Sequence, residues 1–222
     1  FKVEPEAHYN YLDPCAGEGE AVLTLIKTLH GEERKAVENV DLRCVEMELT
    51  RYASLKEACG TLSWHWGSTQ NALHCDAFCV RFKVSKGVSL LYLNPPYDTD
   101  PVCGRLEEKF LVRFTPTLMA GGLLVFLVPF YALAASAKTL AKEYSSVACF
   151  RFPEPEFSGY KQVALIATKR EAALFELDPK IEAKVQKWAK DAASIPVLEE
   201  GAKTFTVPQS GKWGKPFDTW KT

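Results

Sequence analysis

The sequence predicts an α/β domain with a doubly wound, mostly parallel sheet of seven strands, in which the last strand is antiparallel. Short apolar runs alternate with helix-like stretches along most of the chain, which is typical of parallel strands joined by crossover helices. Two runs, VSLLYL and LLVFLVP, are continuously apolar, as expected of strands buried on both faces. The last two strands are joined by a short segment without a helical pattern, which favours antiparallel pairing at an edge of the sheet.

The first three strands are short and each ends at a turn. NYL ends at Asp13, and EAVLTLIKTLH then repeats apolar residues every four positions, which predicts a helix that buries Ala21, Leu25 and Leu29. The second strand lies in NVDLRCVEME, and LTRYASLKEACG reads as a helix that ends at Gly60. The third strand, ALHC, leads directly to the next acidic residue.

The later elements continue the alternation. VSLLYL is followed by a helix around RLEEKFLVRFTPTLM, a Gly-Gly turn, the strand LLVFLVP and the helix ALAASAKTLAKEY. The strands VACFRF and KQVALIAT, joined by the proline-rich loop PEPEFSGY, complete the sheet. We assign residues 1–170 to the main domain and residues 171–222 to a C-terminal helix and tail that can belong to the same domain. That helix, DPKIEAKVQKWAKDAA, begins with Asp-Pro, as an N-cap followed by proline does.

Composition narrows the class of protein. The 222 residues are 47% apolar, enough for a sizeable core, and the formal net charge of −1 gives no overall attraction to nucleic acid or to a membrane surface. No apolar run is long enough to cross a bilayer, since the best one is interrupted by Pro129. Seven cysteines without CxxC spacing favour reduced thiols and a cytoplasmic location. The polar start, FKVEPEAHYN, has no initiator methionine and no signal peptide, and we expect a fragment that lacks an N-terminal element.

The turn after the first strand, DPCAGEGE, has the character of a ligand site. Ligands of open α/β sheets bind at the carboxyl ends of strands, and Gly17 and Gly19 lack the Cβ that would keep a ligand away from the backbone. The stretch contains neither GxGxxG nor the lysine of a P-loop. Because Asp13 would repel a pyrophosphate, we predict a ligand with a cationic group, such as an ammonium or a sulfonium.

Acidic residues end the next two strands as well. Glu46 can accept hydrogen bonds from two ribose hydroxyls, although Glu48 competes for this role. Asp76 can accept a hydrogen bond from an adenine amino group, or it can cap a helix. Such residues on three successive strands predict a cofactor that contains a nucleoside.

The stretch LLYLNPPYD is the most specific in the chain. Asn94 follows a buried strand and precedes two prolines, which restrict the backbone. The Asn94 side-chain oxygen and the Pro95 carbonyl can both accept hydrogen bonds from one NH₂ group, which makes its nitrogen lone pair available to attack a methyl group. Tyr97 offers a flat face on which a planar substrate can stack. We therefore predict methylation of a planar amino group without a strong general base.

Together, DPCAGEG and NPPY resemble motifs I and IV of class I S-adenosylmethionine-dependent methyltransferases, most closely the N6-adenine DNA methyltransferases. The resemblance covers roughly residues 11–168, and the order of the motifs is similar to the gamma-type arrangement. It implies a Rossmann-like methyltransferase fold, S-adenosylmethionine as the cofactor and DNA as the partner. The implied cofactor-binding residues are Asp13, Pro14, Cys15, Ala16, Gly17, Gly19, Glu46, Asp76, Ala77 and Asn94. The implied catalytic pocket consists of Asn94, Pro95, Pro96 and Tyr97.

The chain departs from that family in two ways. The family has an upstream segment that helps to cover the cofactor, whereas almost nothing precedes Asp13 here. Gamma-type enzymes also carry a large recognition domain after the catalytic core, whereas only a short segment follows the last strand here. We therefore expect a separate domain or subunit to supply sequence recognition.

Several aromatic and basic residues are candidates for nucleic-acid contacts. Phe157 and Tyr160 can flank a base that has been flipped out of a duplex, or they can be ordinary loop aromatics. In the tail, the pattern of alternating lysines and aromatic rings suits strand tracking and base stacking, or packing along the domain. The tail residues are Lys203, Phe205, Lys212, Trp213, Lys215, Phe217, Trp220 and Lys221.

A metal site is not predicted. His65, His74, Cys75 and Cys79 match no standard zinc spacing. Trp64, His65 and Trp66 are expected to form a packed loop instead.

The leading hypothesis is methylation of adenine N6 in DNA. RNA adenine and the glutamine side-chain amides of proteins present similar NH₂ groups and are alternative substrates. A catalytically silent cofactor-binding subunit is a further alternative, against which the intact sequence from Asn94 to Tyr97 argues.

Overall fold

The structure is a computed structural model that describes residues 1–31, 39–62, 72–82, 86–100, 104–201, 203–212 and 217–219. Seven strands form the main sheet: β1 (Tyr9–Asp13), β2 (Val40–Glu46), β3 (Ala72–His74), β5 (Val88–Leu93), β8 (Leu118–Pro129), β9 (Tyr144–Arg151) and β10 (Gln162–Lys169). Their order across the sheet is β3-β2-β1-β5-β8-β10-β9. Two small ladders join β4 (Val80–Phe82) to β11 (Phe217–Thr219), and β6 (Thr99–Asp100) to β7 (Gly104–Arg105).

The sheet is parallel except at β10. Strand β1 pairs in parallel with β2 and β5, while β3 and β8 extend the parallel part on either side. Strand β10 lies between β8 and β9 and is antiparallel to both. The predicted fold is therefore confirmed. Parallel strands end at the same edge of a sheet, so the turns after β1, β2, β3 and β5 lie together there.

Helices cover both faces of the sheet. They are α1 (Glu20–His30), α2 (Leu49–Leu62), α3 (Leu106–Phe114), α4 (Leu133–Glu143), α5 (Glu156–Tyr160) and α6 (Pro179–Lys190). Apolar residues of α1 and α2 pack in one core with inward residues of β1, β2 and β5. Those of α3, α4 and α6 form a second core on the opposite face. Each central strand therefore buries side chains in both directions, which explains its continuous apolar sequence. Within the described ranges, no helix combines the length and apolar character needed to cross a bilayer.

The buried face of α1 differs from the prediction. Of the three predicted residues, Ala21 is exposed, whereas Leu25 and Leu29 are half-buried and pack against the core. The fully buried residues of α1 are Val22, Leu23 and Ile26. A Cβ on Gly19, the residue before α1, would lie 2.5 Å from Leu55 Cδ1, so the glycine leaves room for this buried side chain. The four-residue spacing of apolar residues did not by itself show which face of α1 would be fully buried.

The segment between α3 and β8 also differs. The predicted helix around RLEEKFLVRFTPTLM ends at Phe114, and a 3₁₀ turn over Thr115–Thr117, which contains Pro116, follows it directly. Gly121 and Gly122 do not form a turn, since β8 runs through them. A Cβ on Gly122 would lie 2.9 Å from the carbonyl oxygen of Val88, so the glycine allows β5 and β8 to approach where their register shifts.

The connection from β9 to β10 contains one helical turn. The sequence PEPEFSGY was predicted to be a loop, and α5 occupies residues 156–160 of it. The remaining strand predictions match within a few residues at their ends. The predicted end of α2 at Gly60 falls short of its observed end at Leu62.

The C-terminal residues pack along the rest of the chain. Helix α6 begins as predicted, because the Asp178 side chain accepts hydrogen bonds from the N–H groups of Lys180 and Ile181. The Val207 side chain is buried, and its N–H donates to the Lys2 carbonyl at 3.0 Å.

The described part of the tail also packs its aromatic ring. Phe205 packs against the core on the α1 side of the sheet, with the Lys203 ammonium 5.1 Å from its ring centroid. For Phe205, the structure therefore shows the predicted alternative in which a tail aromatic packs along the domain. Lys212 is exposed. Trp213, Lys215, Trp220 and Lys221 lie outside the described residues, and Phe217 is described only as part of β11.

Candidate active site

Two left-handed glycines shape the turn between β1 and α1. Gly17 and Gly19 have φ angles of +57° and +85°, which side chains rarely adopt. The Ala16 N–H donates to the Val45 carbonyl at 2.9 Å, and the Gly19 N–H donates to the Ala16 carbonyl at 2.8 Å. A Cβ on Gly17 would meet no atom within 4 Å, whereas one on Gly19 would lie 2.5 Å from Leu55 Cδ1. Gly17 thus leaves room for a ligand, and Gly19 serves the packing beneath.

Glu46 connects this turn to the end of β2. Its Oε2 accepts a hydrogen bond from the Gly17 N–H at 2.8 Å, and its Oε1 accepts one from the Glu48 N–H at 2.8 Å. A carboxylate has further acceptor capacity on each oxygen. The Glu48 carboxylate is exposed and accepts from the N–H groups of Thr50 and Arg51 at the start of α2. Glu46 is therefore the acidic residue that is held against the glycine turn.

Asp13 lies beneath the turn. The residue is 2% exposed, and its Oδ1 accepts a hydrogen bond from the Cys15 N–H at 3.1 Å. Burial raises the pKa of the Asp13 carboxyl to about 7, with a further rise from the nearby Glu46 carboxylate and an opposing effect of the Cys15 N–H. Asp13 thus supports the turn from inside the protein and does not line the cleft described below.

Asp76 and Ala77 follow β3 at the same edge. Asp76 is exposed, and its Oδ1 accepts a hydrogen bond from the Phe78 N–H at 2.9 Å. This bond caps the short 3₁₀ helix that begins at Ala77, so the helix-cap alternative is observed. Because a carboxylate can accept several hydrogen bonds, the cap leaves capacity for a ligand.

The turn after β5 brings Asn94 and Tyr97 together. Asn94 and Pro96 are exposed, while Pro95 is buried between them. The Tyr97 hydroxyl donates to Asn94 Oδ1 at 2.9 Å and accepts a hydrogen bond from Gln162 Nε2. Burial raises the pKa of Tyr97, so this hydroxyl is protonated at neutral pH and can act as the donor.

A single cleft of about 860 Å³ joins these turns. The predicted residues that line it are Pro14, Cys15, Ala16, Gly17, Glu46, Asp76, Ala77, Asn94, Pro95, Pro96, Tyr97 and Tyr160. Asp13, Gly19 and Phe157 are not among its lining residues. The structure therefore brings the nucleoside-binding candidates and the Asn94–Tyr97 turn to one space.

The two aromatic residues of α5 have different surroundings. Tyr160 is 68% exposed and lines the cleft. Phe157 is 7% exposed and packs in the core near Phe130, with the Arg151 guanidinium 5.5 Å from its ring centroid. The prediction that Phe157 flanks a base is corrected, because its ring is buried in the core and does not line the cleft.

Several residues of the cleft were not predicted from the sequence. Phe78 and Phe110 make an edge-to-face contact with centroids 4.8 Å apart, and both line the cleft at the β3 side. Gln162 lies at the start of β10, far from Tyr97 in sequence. No sequence motif includes Gln162, so its position in the cleft could not be predicted. The apolar residues of α3 could have indicated that Phe110 is a cleft residue.

No metal cluster is found in the described part of the chain. The His74 Nε2–H donates to the Met47 carbonyl at 3.1 Å, and its ring stacks on Tyr52. His65 lies outside the described residues, as do Trp64 and Trp66.

Comparison with known protein families gives a match over residues 67–209, to a family described as an uncharacterised methyltransferase family, DUF6094. The chain belongs to this family. The match includes the Asn94–Tyr97 turn and residues of the cleft from β3, β5 and β10. The protein is thus a methyltransferase by family. No curated protein sequence matches it.

Three solved structures illustrate the shared fold. A protein from Listeria monocytogenes described as a class I S-adenosylmethionine-dependent methyltransferase aligns with a TM-score of 0.60 and 18% identity, over 84% of this chain and 66% of that one. The M protein of the type I restriction enzyme EcoKI gives 0.55 and 14%, over 74% and 40%. TrmN from Thermus thermophilus gives 0.50 and 18%, over 73% and 44%. The chain spans less than two thirds of each of these structures, and the likeness shows the fold.

Proposed function

We propose that this methyltransferase transfers a methyl group from S-adenosylmethionine to the exocyclic N6 amino group of adenine in DNA. The observation that supports this most is the position of the Asn94–Tyr97 turn, which lines the same cleft as Gly17 and Glu46. Methyl transfer requires the donor and the acceptor to be held close together and in line. One cleft here contains residues suited to each.

The β1–β3 side of the cleft fits the cofactor. Gly17 leaves open space above the backbone, and Glu46 presents a fixed carboxylate with capacity for ribose hydroxyls. Asp76 and the edges of Phe78 and Phe110 suit a planar, amino-bearing ring. S-adenosylmethionine, when bound, supplies an electrophilic methyl group.

The β5 side of the cleft fits the acceptor. Asn94 Oδ1 and the Pro95 carbonyl are the two proposed acceptors for the hydrogens of one amino group. With both hydrogens bound, the nitrogen lone pair would be less delocalised into the adenine ring and would be available to the methyl group that the cofactor would supply. The nitrogen then releases one proton to water. The rings of Tyr97 and the exposed Tyr160 provide flat surfaces for the base.

DNA is the proposed substrate because the Asn94–Tyr97 sequence resembles that of N6-adenine DNA methyltransferases, and a restriction-enzyme M protein is among the structural relatives. The free thiols of the described cysteines fit a cytoplasmic enzyme. The chain spans 40% of the EcoKI M protein. We therefore propose that a further domain or a specificity subunit selects the DNA sequence.

The test is transfer of isotope-labelled methyl from S-adenosylmethionine to separate pools of DNA, RNA and protein. We expect label in DNA with the wild type and none with Asn94→Ala. Asn39→Ala is the matched control, because the Asn39 side chain donates to the Glu6 carbonyl outside the cleft. Label only in RNA or only in protein would overturn the DNA assignment. Binding of S-adenosylmethionine without transfer to any pool would overturn the catalytic one.

A further inference from the structure

Three side chains form a hydrogen-bond chain along one wall of the cleft. Gln162 Nε2 donates to the Tyr97 hydroxyl oxygen, and the Tyr97 hydroxyl donates to Asn94 Oδ1 at 2.9 Å. The Tyr97 hydroxyl is also 3.4 Å from the Leu127 carbonyl. The chain links β10 to the turn after β5, across the intervening strand β8.

The direction of this chain is set at Gln162. An amide nitrogen carries hydrogens and donates, so the Tyr97 oxygen accepts and its own proton is directed to the next acceptor. That acceptor is Asn94 Oδ1. A carbonyl oxygen has two lone pairs, so Asn94 Oδ1 can receive the Tyr97 proton and still accept a hydrogen from a substrate amino group. The Tyr97 bond also determines which end of the Asn94 amide occupies this position.

Gln162 is well placed to fix that geometry. It is the first residue of β10 and pairs in register with Pro129 at the end of β8. The Lys161 carbonyl beside it accepts a hydrogen bond from the Phe130 N–H at 2.9 Å. The backbone of Gln162 is therefore held by the sheet, and its half-buried side chain reaches the wall of the cleft.

We propose that Gln162 is a positioning residue for methyl transfer, which acts through Tyr97 to orient the Asn94 oxygen towards the acceptor amino group. This rests on the proposed function of the Asn94–Tyr97 turn. A direct contact of Gln162 with the substrate is the alternative, and it makes a different prediction when Tyr97 is changed.

The experiment is a double-variant cycle on turnover. Gln162→Leu removes the donor, and Gln162→Glu keeps the size of the side chain while replacing the donating amide with an accepting carboxylate. Each is expected to lower kcat about tenfold, with little change in KM or in S-adenosylmethionine affinity. In the Tyr97→Phe background, which retains the ring, the Gln162 substitutions should have no further effect, because the chain is already broken. Gln186→Leu on α6, whose amide donates to the Ala134 carbonyl, is the matched control and should retain wild-type turnover.

A second measurement does not depend on turnover. The bond from Gln162 lowers the pKa of Tyr97, against the larger effect of burial and the smaller effects of Glu107, Cys15 and Tyr131, which raise it. Gln162→Leu should therefore raise this pKa further. The titration can be followed by NMR of ring-labelled tyrosine, with Tyr97→Phe identifying the signal among the eight tyrosines.

The outcomes separate the two proposals. An unchanged Tyr97 titration in Gln162→Leu, or a kcat loss that persists in the Tyr97→Phe background, overturns the role of Gln162 alone. No methyl transfer by the wild type to any pool overturns the proposed function instead. Loss of kcat that disappears in the Tyr97→Phe background, together with the raised pKa, supports the inference.

Discussion

Alanine substitution is expected to affect the two glycines of the first turn differently: Gly17→Ala should mainly weaken cofactor binding, and Gly19→Ala should mainly lower stability. Both have positive φ angles, so Gly17→Ala and Gly19→Ala place a side chain in the same unfavourable backbone region. They differ in their surroundings. A Cβ at Gly17 meets nothing within 4 Å, and one at Gly19 lies 2.5 Å from Leu55 Cδ1 and 3.4 Å from Leu23 Cδ1.

The expected loss of unfolding free energy in each variant follows from these distances. The left-handed conformation costs a residue with a Cβ about 1–2 kcal/mol, and reduced freedom of the unfolded chain offsets about 0.4–1 kcal/mol of this. Gly17→Ala should therefore lower the free energy of unfolding by about 1 kcal/mol. Gly19→Ala adds the cost of overpacking against Leu55, which is fully buried and cannot move away freely. That cost is about 1–3 kcal/mol.

Urea denaturation of the two variants and the wild type measures the difference. Titration calorimetry with S-adenosylmethionine should give the reverse order, since the methyl group of Gly17→Ala projects into the cleft while that of Gly19→Ala is buried beneath it. Equal losses of stability in the two variants would refute the packing argument. Unchanged cofactor affinity in Gly17→Ala would refute the assignment of the open space above this residue.

Four further substitutions test other parts of the structure. Burial raises the pKa of Asp13 from 3.8 to about 7, so the contribution of this carboxyl to stability is present at low pH and is lost as the pH rises through that range. The free energy of unfolding of Asp13→Asn should therefore increase relative to that of the wild type over this interval, by at most about 1.4 kcal/mol per pH unit. Parallel profiles of unfolding free energy against pH would contradict this. Val207→Ala should lower the free energy of unfolding by about 2 kcal/mol, because the side chain is 2% exposed, whereas a loss near zero would show that residues 203–212 are not anchored. Tyr160→Ala should raise the KM for DNA without a large change in thermal stability, and Phe175→Ala is the control because the Phe175 side chain is fully exposed. Phe157→Ala should instead lower the free energy of unfolding by about 3–5 kcal/mol. The opposite pattern would contradict the roles given to these two rings.

The strand ends were predictable because local sequence determines them. Asp13, Glu46, Asp76 and Asn94 each follow closely on an apolar run, and the ends of parallel strands meet at one edge whatever the details of packing. The antiparallel pairing of β10 also followed from the short connection before it. These features require only the pattern of strands and turns.

Other features depend on contacts between distant residues. Gln162 reaches Tyr97 only because β10 lies beside β8 with Gln162 opposite Pro129, and no local pattern encodes that register. Phe157 and Tyr160 are three residues apart, and the sequence did not show which ring the core would take. The buried face of α1 likewise depends on its packing in the core with residues of β1, β2, β5 and α2.

The most direct test of the account is nucleoside analysis by mass spectrometry of DNA incubated with the protein and methyl-labelled S-adenosylmethionine. We predict labelled N6-methyldeoxyadenosine with the wild type and with Asn39→Ala, and none with Asn94→Ala. Label on a different atom or base, or equal label with Asn94→Ala, would contradict the claim that the Asn94–Tyr97 turn presents the adenine amino group to the methyl donor.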